Sequence, residues 1–332
     1  MKMLLAVSIA MAAAVPAAAE DAKPFVGNWA LTIPGGGAGW LGVTDTDGAL
    51  KASILWGGGS VLPVTTARVD GDTLILTRVG PAPKKAGAGK KAKPPEIQVL
   101  QAKVSGDEMK LTIGRDLGDG KVTGQTSFAG KRIPPLPARP DLSKIRFGEP
   151  IHLFNGENLD GWQLLNPGAP NGWSAKDGVL TNDPKQEPGK PRKHYGNLRT
   201  EREFEDFNLK LETKVPQGGN SGIYLRGIYE VQVADTFGHP LDSHNMGGIY
   251  SRICPTEAAE KPAGQWQIFD ITLVDRHVTV ILNGKTIIDN QPLLGCTGGA
   301  LWSDEFRPGP IYLQGDHTGV HYRNLVLRPV VK

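Results

Sequence analysis

The sequence predicts an all-β protein of two domains, and three observations carry that prediction. Gly and Pro number 43 and 26 of 332 residues, about a fifth of the chain and above ordinary usage. Short runs of alternating apolar and polar residues recur between turn-forming pairs such as Asp47-Gly48 and Asp70-Gly71. No long segment carries a 3.6-residue hydrophobic period, so helices have no apolar stripe to build on. The charge balance, 37 Lys and Arg against 34 Asp and Glu, excludes a strongly basic nucleic-acid binder and a polyanionic tail protein. Two cysteines exclude a disulfide-dense scaffold and a Cys-rich zinc module.

The first 19 residues read as a signal peptide: Met1-Lys2-Met3, an apolar run from Leu4 to Val15, and Ala17-Ala18-Ala19 ahead of a cleavage point before Glu20. The run is too short to cross about 30 Å of hydrocarbon, and no later segment reaches 18 apolar residues. The expectation is a periplasmic or secreted protein with no membrane span. In an oxidising compartment Cys254 and Cys296 are either one disulfide or two separate thiols.

Residues 20–133 form the first domain. Its β segments are Trp29–Ile33, Gly39–Thr44, Leu50–Trp56, Val61–Val69, Thr73–Val79, Ile97–Val104, Glu108–Ile113 and Lys121–Phe128, with turns such as Gly106-Asp107 and Asp119-Gly120. Eight short sequential strands predict a small antiparallel barrel or sandwich. The stretch Pro81–Pro95 holds five lysines among Ala, Gly and Pro and reads as a solvated loop rather than an anion or membrane-surface patch. Residues 134–146 open with four prolines in Ile133–Pro140, a semi-rigid linker. Residues 20–146 carry 18 cations and 12 anions, and residues 147–332 carry 18 and 22, so the two domains differ in sign.

Residues 147–332 are again β-rich. His277–Leu282 and Lys285–Ile288 flank Asn283-Gly284, a strong signal for a type I′ hairpin. Gln267–Val274 precedes it as a neighbouring strand. A Trp, a strand and an Asn-Gly hairpin in about 180 residues suit one sheet of a concanavalin-like jelly-roll sandwich. Upstream, Gly219–Asp235 reads as a hairpin turning at Gly227-Ile228-Tyr229. That register sets Arg226 against Glu230 and Tyr224 against Gln232 on one face, with Ile223, Leu225, Val231 and Val233 on the other. The polar face suits polyol recognition, and a solvated sheet face with one weak ion pair is the plainer reading. Asp235, His239, Asp242 and His244 crowd the following loop, so Asp235, His239 and His244 are candidate ligands for one divalent metal, although their spacing matches no standard metal motif. Asp316-His317 sits between Gly315 and Gly319 at a strand end, within reach of a groove. Trp40, Trp56 and Trp302 read as core residues before sugar-stacking ones.

Phe154–Trp162, Gly219–Arg226, Tyr229–Val233 and Leu313–His317 occur in an order that resembles the 3-keto-disaccharide hydrolase domain family, a concanavalin-like jelly roll of exported bacterial proteins. Trp173, Gly178-Val179-Leu180 and Gly264-Gln265-Trp266 extend the resemblance over about 147–330, leaving the first domain outside it. The resemblance implies an oligosaccharide or glycoside substrate already oxidised at C3 by a separate sugar dehydrogenase. A C3 ketone acidifies the C2 proton, so deprotonation, expulsion of the C1 substituent and hydration give net hydrolysis. On that scheme Arg226, with or without the metal, holds the enolate, and His317 or Glu230 removes the proton. Asn220, Tyr224, Gln232, Tyr250, Gln314 and Asp316 would contact the sugar, and Asp235 would orient the base or bind metal. No nucleotide cofactor is expected. Two alternatives stand beside it: a non-catalytic carbohydrate-binding protein, and a two-carboxylate glycoside hydrolase, whose Glu-x-Asp-x-x-Glu strand the chain lacks.

Overall fold

The computed structural model describes residues 19–79, 97–116 and 121–331, which are almost entirely strand, turn and loop. The loop Pro81–Pro95, the turn Asp119-Gly120 and all but the last residue of the expected signal peptide lie outside the described residues.

The first domain is an up-and-down antiparallel sheet of nine strands: Gly27–Thr32, Ala38–Thr46, Ala49–Trp56, Leu62–Pro63, Thr66–Asp70, Thr73–Val79, Ile97–Ser105, Glu108–Asp116 and Val122–Arg132. The single segment expected over Val61–Val69 is two strands. Leu62–Pro63 pairs with Ala49–Trp56, and Thr66–Asp70 pairs with Thr73–Val79. The change of partner is sharp: Val64 N–H donates to Ala52 at 3.0 Å and Thr65 N–H to Thr77 at 2.7 Å. The two ends of the sheet are therefore one continuous stretch of chain, which closes the domain into a barrel. Pro63, with no N–H to give, sits in the shortest strand, where the ladder asks least of it. Inward positions alternate as expected, and Trp29, Leu31, Leu41, Val43, Ile54, Leu74, Leu76, Leu100 and Leu111 fill the interior.

The second domain is a two-sheet sandwich. One sheet runs Trp173–Lys176, Val179–Asn182, Val320–Pro329, Phe207–Lys214, Gln267–Val274, His277–Leu282 and Lys285–Pro292, with Ile151–His152 also paired to Val320–Pro329. The other runs Trp162–Leu164, Leu198–Thr200, Tyr312–Leu313, Asn220–Leu225 and Tyr229–Ala234. Asn283 and Gly284 both take positive φ (51° and 84°), the turn geometry that matches the twist of a two-stranded ribbon. Leu209, Leu211, Phe269, Ile271, Val280 and Leu327 of the first sheet and Ile223, Leu225, Val231, Val233 and Leu313 of the second make the core between them.

The domains are packed, not strung apart. Ala38, Trp40, Leu55 and Ile133 of the barrel belong to the same apolar cluster as the sandwich core. Arg252 lies 4.1 Å over the Trp40 ring and donates to the carbonyls of Leu294 and Cys296. Trp56 packs edge-on against Phe128, and Trp302 lies under Arg307, so all three tryptophans have protein partners. Cys254 is exposed and Cys296 buried, and both are free thiols, so no disulfide joins them. Burial pushes the Cys296 thiol up to about 12, leaving it an inert apolar filler.

The proline-rich segment lies along the sandwich. Arg276 donates to the carbonyls of Pro134 and Pro135 and pairs with Glu305 at 2.9 Å, while Asn290 donates to Pro140. Arg276 and Glu305 are both buried, and burial raises the Glu305 carboxyl to about 7 against the opposing charge of Arg276. Removing one member leaves the other desolvated and unpaired. Arg276→Ala should therefore lower the unfolding free energy by about 3–5 kcal/mol, read as a drop in the urea midpoint, whereas an exposed-pair variant such as Lys144→Ala should stay within about 1 kcal/mol of wild type.

Candidate functional site

The five-stranded sheet turns one face to the core and the other to a cluster of polar side chains, because residues along each strand alternate sides. A lateral row crosses all five strands through their register partners: Gln163, Arg199, Tyr312, Tyr224 and Glu230. Four inter-strand steps make the row about 19 Å long. A second row beside it holds Gln314, Gly222 and Gln232, with Gln314 N–H donating to Gly222 at 3.0 Å. Asn220 lies on the same face two residues before Gly222.

The hairpin register differs from expectation. The turn is Arg226-Gly227-Ile228, so Tyr224 opposes Glu230 and Gly222 opposes Gln232. The pairing is displaced by two residues, an even number, so the expected faces survive: Tyr224, Glu230 and Gln232 stay together, opposite Ile223, Leu225, Val231 and Val233. Arg226 does not share their face. It enters the turn with φ of 54°, is buried, and donates to the carbonyls of Glu305 and Arg307 at 2.6 Å. Its guanidinium anchors that loop, which corrects the role expected for it beside Glu230.

Glu230 is 4% exposed, and its side chain lies over Gly222, where a β-carbon would come 2.3 Å from Oε1. Only glycine leaves that space. Burial pushes the carboxyl up to about 8, against the lowering effect of the nearby His317 and of any share of the Tyr224 proton that the carboxylate can claim. It is protonated at neutral pH. The Tyr224 hydroxyl sits between Glu230 Oε2 at 2.9 Å and the Gly298 carbonyl at 2.7 Å. It owns one proton. When Glu230 is protonated, the carboxyl donates to the Tyr224 oxygen and Tyr224 donates to Gly298, which satisfies all three groups. Tyr224 also stacks on Tyr312, with centroids 4.2 Å apart. Burial raises both phenols well out of the neutral range.

Asp316 and His317 lie at the open side of this cluster. Asp316 Oδ1 and His317 Nδ1 are 2.7 Å apart. Burial works to raise the Asp316 carboxyl, but the hydrogen bond and charge of His317 outweigh it and the net shift is downward. That same hydrogen bond is the largest cause raising His317. With Nδ1 committed to the carboxylate, Nε2 is left to face a ligand. An ionised carboxylate holding an imidazole, beside a neutral buried carboxyl, is an acid and a base whose environments have pushed them apart.

Three further atoms on this face, Gln314 Oε1, Asn220 Oδ1 and Arg199 Nε, are buried without a hydrogen-bond partner. Such groups cost about 1–3 kcal/mol each unless something fills their bonds. Gln232, by contrast, turns its amide oxygen to its neighbour's backbone at Val233. Tyr250 contributes its backbone N–H to the Glu230 carbonyl and its ring edge to His244. The structure does not gather the three candidate metal ligands around one point. Asp235 caps Gly218, His239 is exposed, and His244 bonds Ser60 and approaches Asp242. Among the described residues, no group of three His, Cys, Asp or Glu side chains is placed to hold a metal ion. Sequence reasoning missed Asn197, Arg199 and Tyr312. The signal was present in Asn197-Leu198-Arg199-Thr200, where only Leu198 and Thr200 turn to the core.

Residues 149–328 match the family described as the 3-keto-alpha-glucoside-1,2-lyase-like domain. A 3-keto-disaccharide hydrolase of Bacteroides thetaiotaomicron is 27% identical over 166 residues, which are 42% of this chain and 57% of that relative. The chain thus spans little more than half the length of the curated relative it matches. Among solved structures, a provisionally named glycosyl hydrolase from Parabacteroides distasonis is similar at 29% identity and a TM-score of 0.46, covering 60% of this chain and 93% of its own. β-Agarase B from Zobellia galactanivorans is similar at 11% identity and a TM-score of 0.34, covering 57% and 94%.

The raised Glu230 carboxyl has a consequence for stability. Between pH 4.5 and about 8 the folded protein keeps a proton that the unfolded chain has released, so this contribution is intact below 4.5 and lost as pH rises through 8. Glu230→Gln lacks the titration. From pH 5 to pH 8 the wild type should lose about 2–4 kcal/mol more unfolding free energy than Glu230→Gln, measured by urea denaturation at the two pH values.

Proposed function

The chain belongs to the 3-keto-alpha-glucoside-1,2-lyase-like domain family, and on that premise we propose that it is an exported enzyme cleaving 3-keto-glycosides, 3-keto-disaccharides among them. One observation carries the chemistry: a neutral, buried Glu230 and an Asp316-oriented His317 sit on one polar sheet face with unpartnered hydrogen-bonding atoms around them.

His317 Nε2 takes the C2 proton, which the C3 ketone acidifies, and the electron pair moves into an enolate on the C3 oxygen. Arg199, on the same face, takes the part of the cation that holds that oxygen, since Arg226 is committed to backbone carbonyls elsewhere. Collapse of the enolate expels the C1 substituent, and Glu230 gives its proton to the departing oxygen. Water then adds at C1 with Glu230, now a carboxylate, accepting its proton, while His317 returns a proton to C2. The net change is hydrolysis. Gln314 and Asn220 bind sugar hydroxyls with the acceptor atoms they have free. On this reading a sugar 3-dehydrogenase supplies the substrate, and the signal-peptide pattern ending at Ala17–Ala19 supports both reactions taking place outside the cytoplasm.

The acid and base set the pH dependence. Turnover requires His317 neutral and Glu230 protonated, so kcat/KM should follow a bell whose alkaline limb falls near pH 8. Purified protein assayed on matched plain and 3-keto glycosides, with and without EDTA, tests the reading. The expected result is turnover of the keto substrates alone, with the EDTA arm reporting any part taken by a divalent ion. His317→Ala and Glu230→Gln should each lower kcat by about 10²–10⁴-fold. Binding of keto sugars without any product, or equal cleavage of plain glycosides, would overturn it.

A further inference from the structure

The barrel lies outside the residues matched to the family, yet it touches both segments that enclose Glu230. The first is a strap, residues 296–300, laid across the polar face. Thr297 Oγ1 accepts from Glu230 N–H at 2.9 Å, and the Gly298 carbonyl accepts from the Tyr224 hydroxyl. The outer side of the strap rests on the barrel. Gly299 N–H donates to Gly57 at 3.1 Å, and a β-carbon on Gly298 would stand 2.1 Å from the Gly59 carbonyl oxygen. The contact is backbone on backbone, with no room between.

The second segment, residues 244–251, runs along the free edge of Tyr229–Ala234. Tyr250 N–H donates to the Glu230 carbonyl, and Val231 is bridged to Ile249. It also leans on the barrel. Ser60 Oγ and His244 Nε2 are 2.9 Å apart, Val61 N–H donates to Ser251 Oγ at 2.9 Å, and His244 meets the Tyr250 ring edge-on. One barrel loop, from Gly57 to Val61, thus braces both walls of the acid.

We propose that the barrel is a positioning device for the acid: it seats the Gly298 carbonyl so that Tyr224 gives its proton there and turns its oxygen to Glu230 as an acceptor. The direction of that proton decides which form of Glu230 is favoured. While Gly298 holds it, Tyr224 can only accept, and the protonated carboxyl is the form that fits. When the strap moves off, Tyr224 swings its proton to Glu230 Oε2, water follows into the gap, and the carboxylate becomes the better partner. Tyr224, Tyr312, Asp316 and His317 are the titratable groups nearest Glu230, Tyr322 acts on it from the other sheet, and His244 and Tyr250 belong to the edge segment. The strap and barrel loop bring the uncharged Thr297, Gly298, Gly59 and Ser60.

The inference rests on the acid role given to Glu230 above, and its decisive readout needs no substrate. Carboxyl titration of the full chain labelled with ¹³C at glutamate side chains, assigned through Glu230→Gln, reports the acid directly. In Gly298→Ala the strap cannot stay seated, and Glu230 should titrate at least one pH unit below the wild type, with the alkaline limb of kcat/KM moving by the same amount and KM on a 3-keto-glucoside changing less than twofold. A folded Gly298→Ala protein with the Glu230 titration unmoved overturns the proposal. If Gly298→Ala does not fold, Tyr224→Phe decides, since it removes the oxygen that the protonated carboxyl needs as acceptor. A downward shift of the Glu230 titration upholds the proposal, and an unchanged or raised titration, the mark of a Tyr224 that donates to the carboxylate, overturns it. A wild type that turns over no keto sugar overturns the function proposed above and leaves this titration to stand by itself.

Discussion

A carboxyl group cut off from water is the constraint around which this molecule is arranged. Glu230 sits on a sheet face that would ordinarily be solvated, and everything near it serves to keep solvent away: the glycine beneath it, two stacked tyrosines beside it, the strap above it and the barrel behind the strap. Desolvation of that kind acts against folding whenever the group must ionise. The large apolar core shared by both domains offsets it and holds the enclosure shut.

The enclosure is graded rather than uniform. Tyr224, Tyr312, Glu230 and Gln232 are almost inaccessible, whereas Asn197, Arg199, Gln314 and Asp316 are partly open and His317 is exposed. On the function proposed above, a substrate meets the imidazole and the amides first and presses toward the buried acid. Environment, rather than a difference in residue chemistry, separates the two carboxyl groups: Asp316 is half-open and hydrogen-bonds the His317 imidazole, and Glu230 is buried beside the Tyr224 hydroxyl.

Much of the fold was legible because strands announce themselves locally. Alternation at Leu74 and Leu76, or the Asn283-Gly284 turn, needs only neighbours along the chain. The split of 61–70 was not legible, since it depends on Val64 and Thr65 finding different partners across the barrel. At the site, composition and alternation located the polar face, but the hairpin register depended on which residue could take the left-handed turn position. Arg226 took it, which removed the most conspicuous cation from the face. Arg199 went unnoticed because the alternation that carries it spans only Asn197–Thr200, and its place on the face is fixed by pairing with distant Tyr312. His244 read as a metal ligand because its true partner, Ser60, lies 184 residues away in another domain.

The order in which the strands join the sandwich bears on how it can form. Val320–Pro329 comes last in sequence yet lies inside its sheet, paired with Ile151–His152, Val179–Asn182 and Phe207–Lys214. The barrel is built almost wholly from neighbours along the chain, so its loop-closure entropy is met in small steps. The sandwich instead waits for a segment more than a hundred residues beyond the strands it must join. Folding should therefore be sequential, with a fast, local barrel and a slow, high-contact-order partner whose unpaired inner strands stay open to mispairing in the interval. A barrel completed early, carrying the loop that later braces the strap, gives the slower domain a finished surface on which to close.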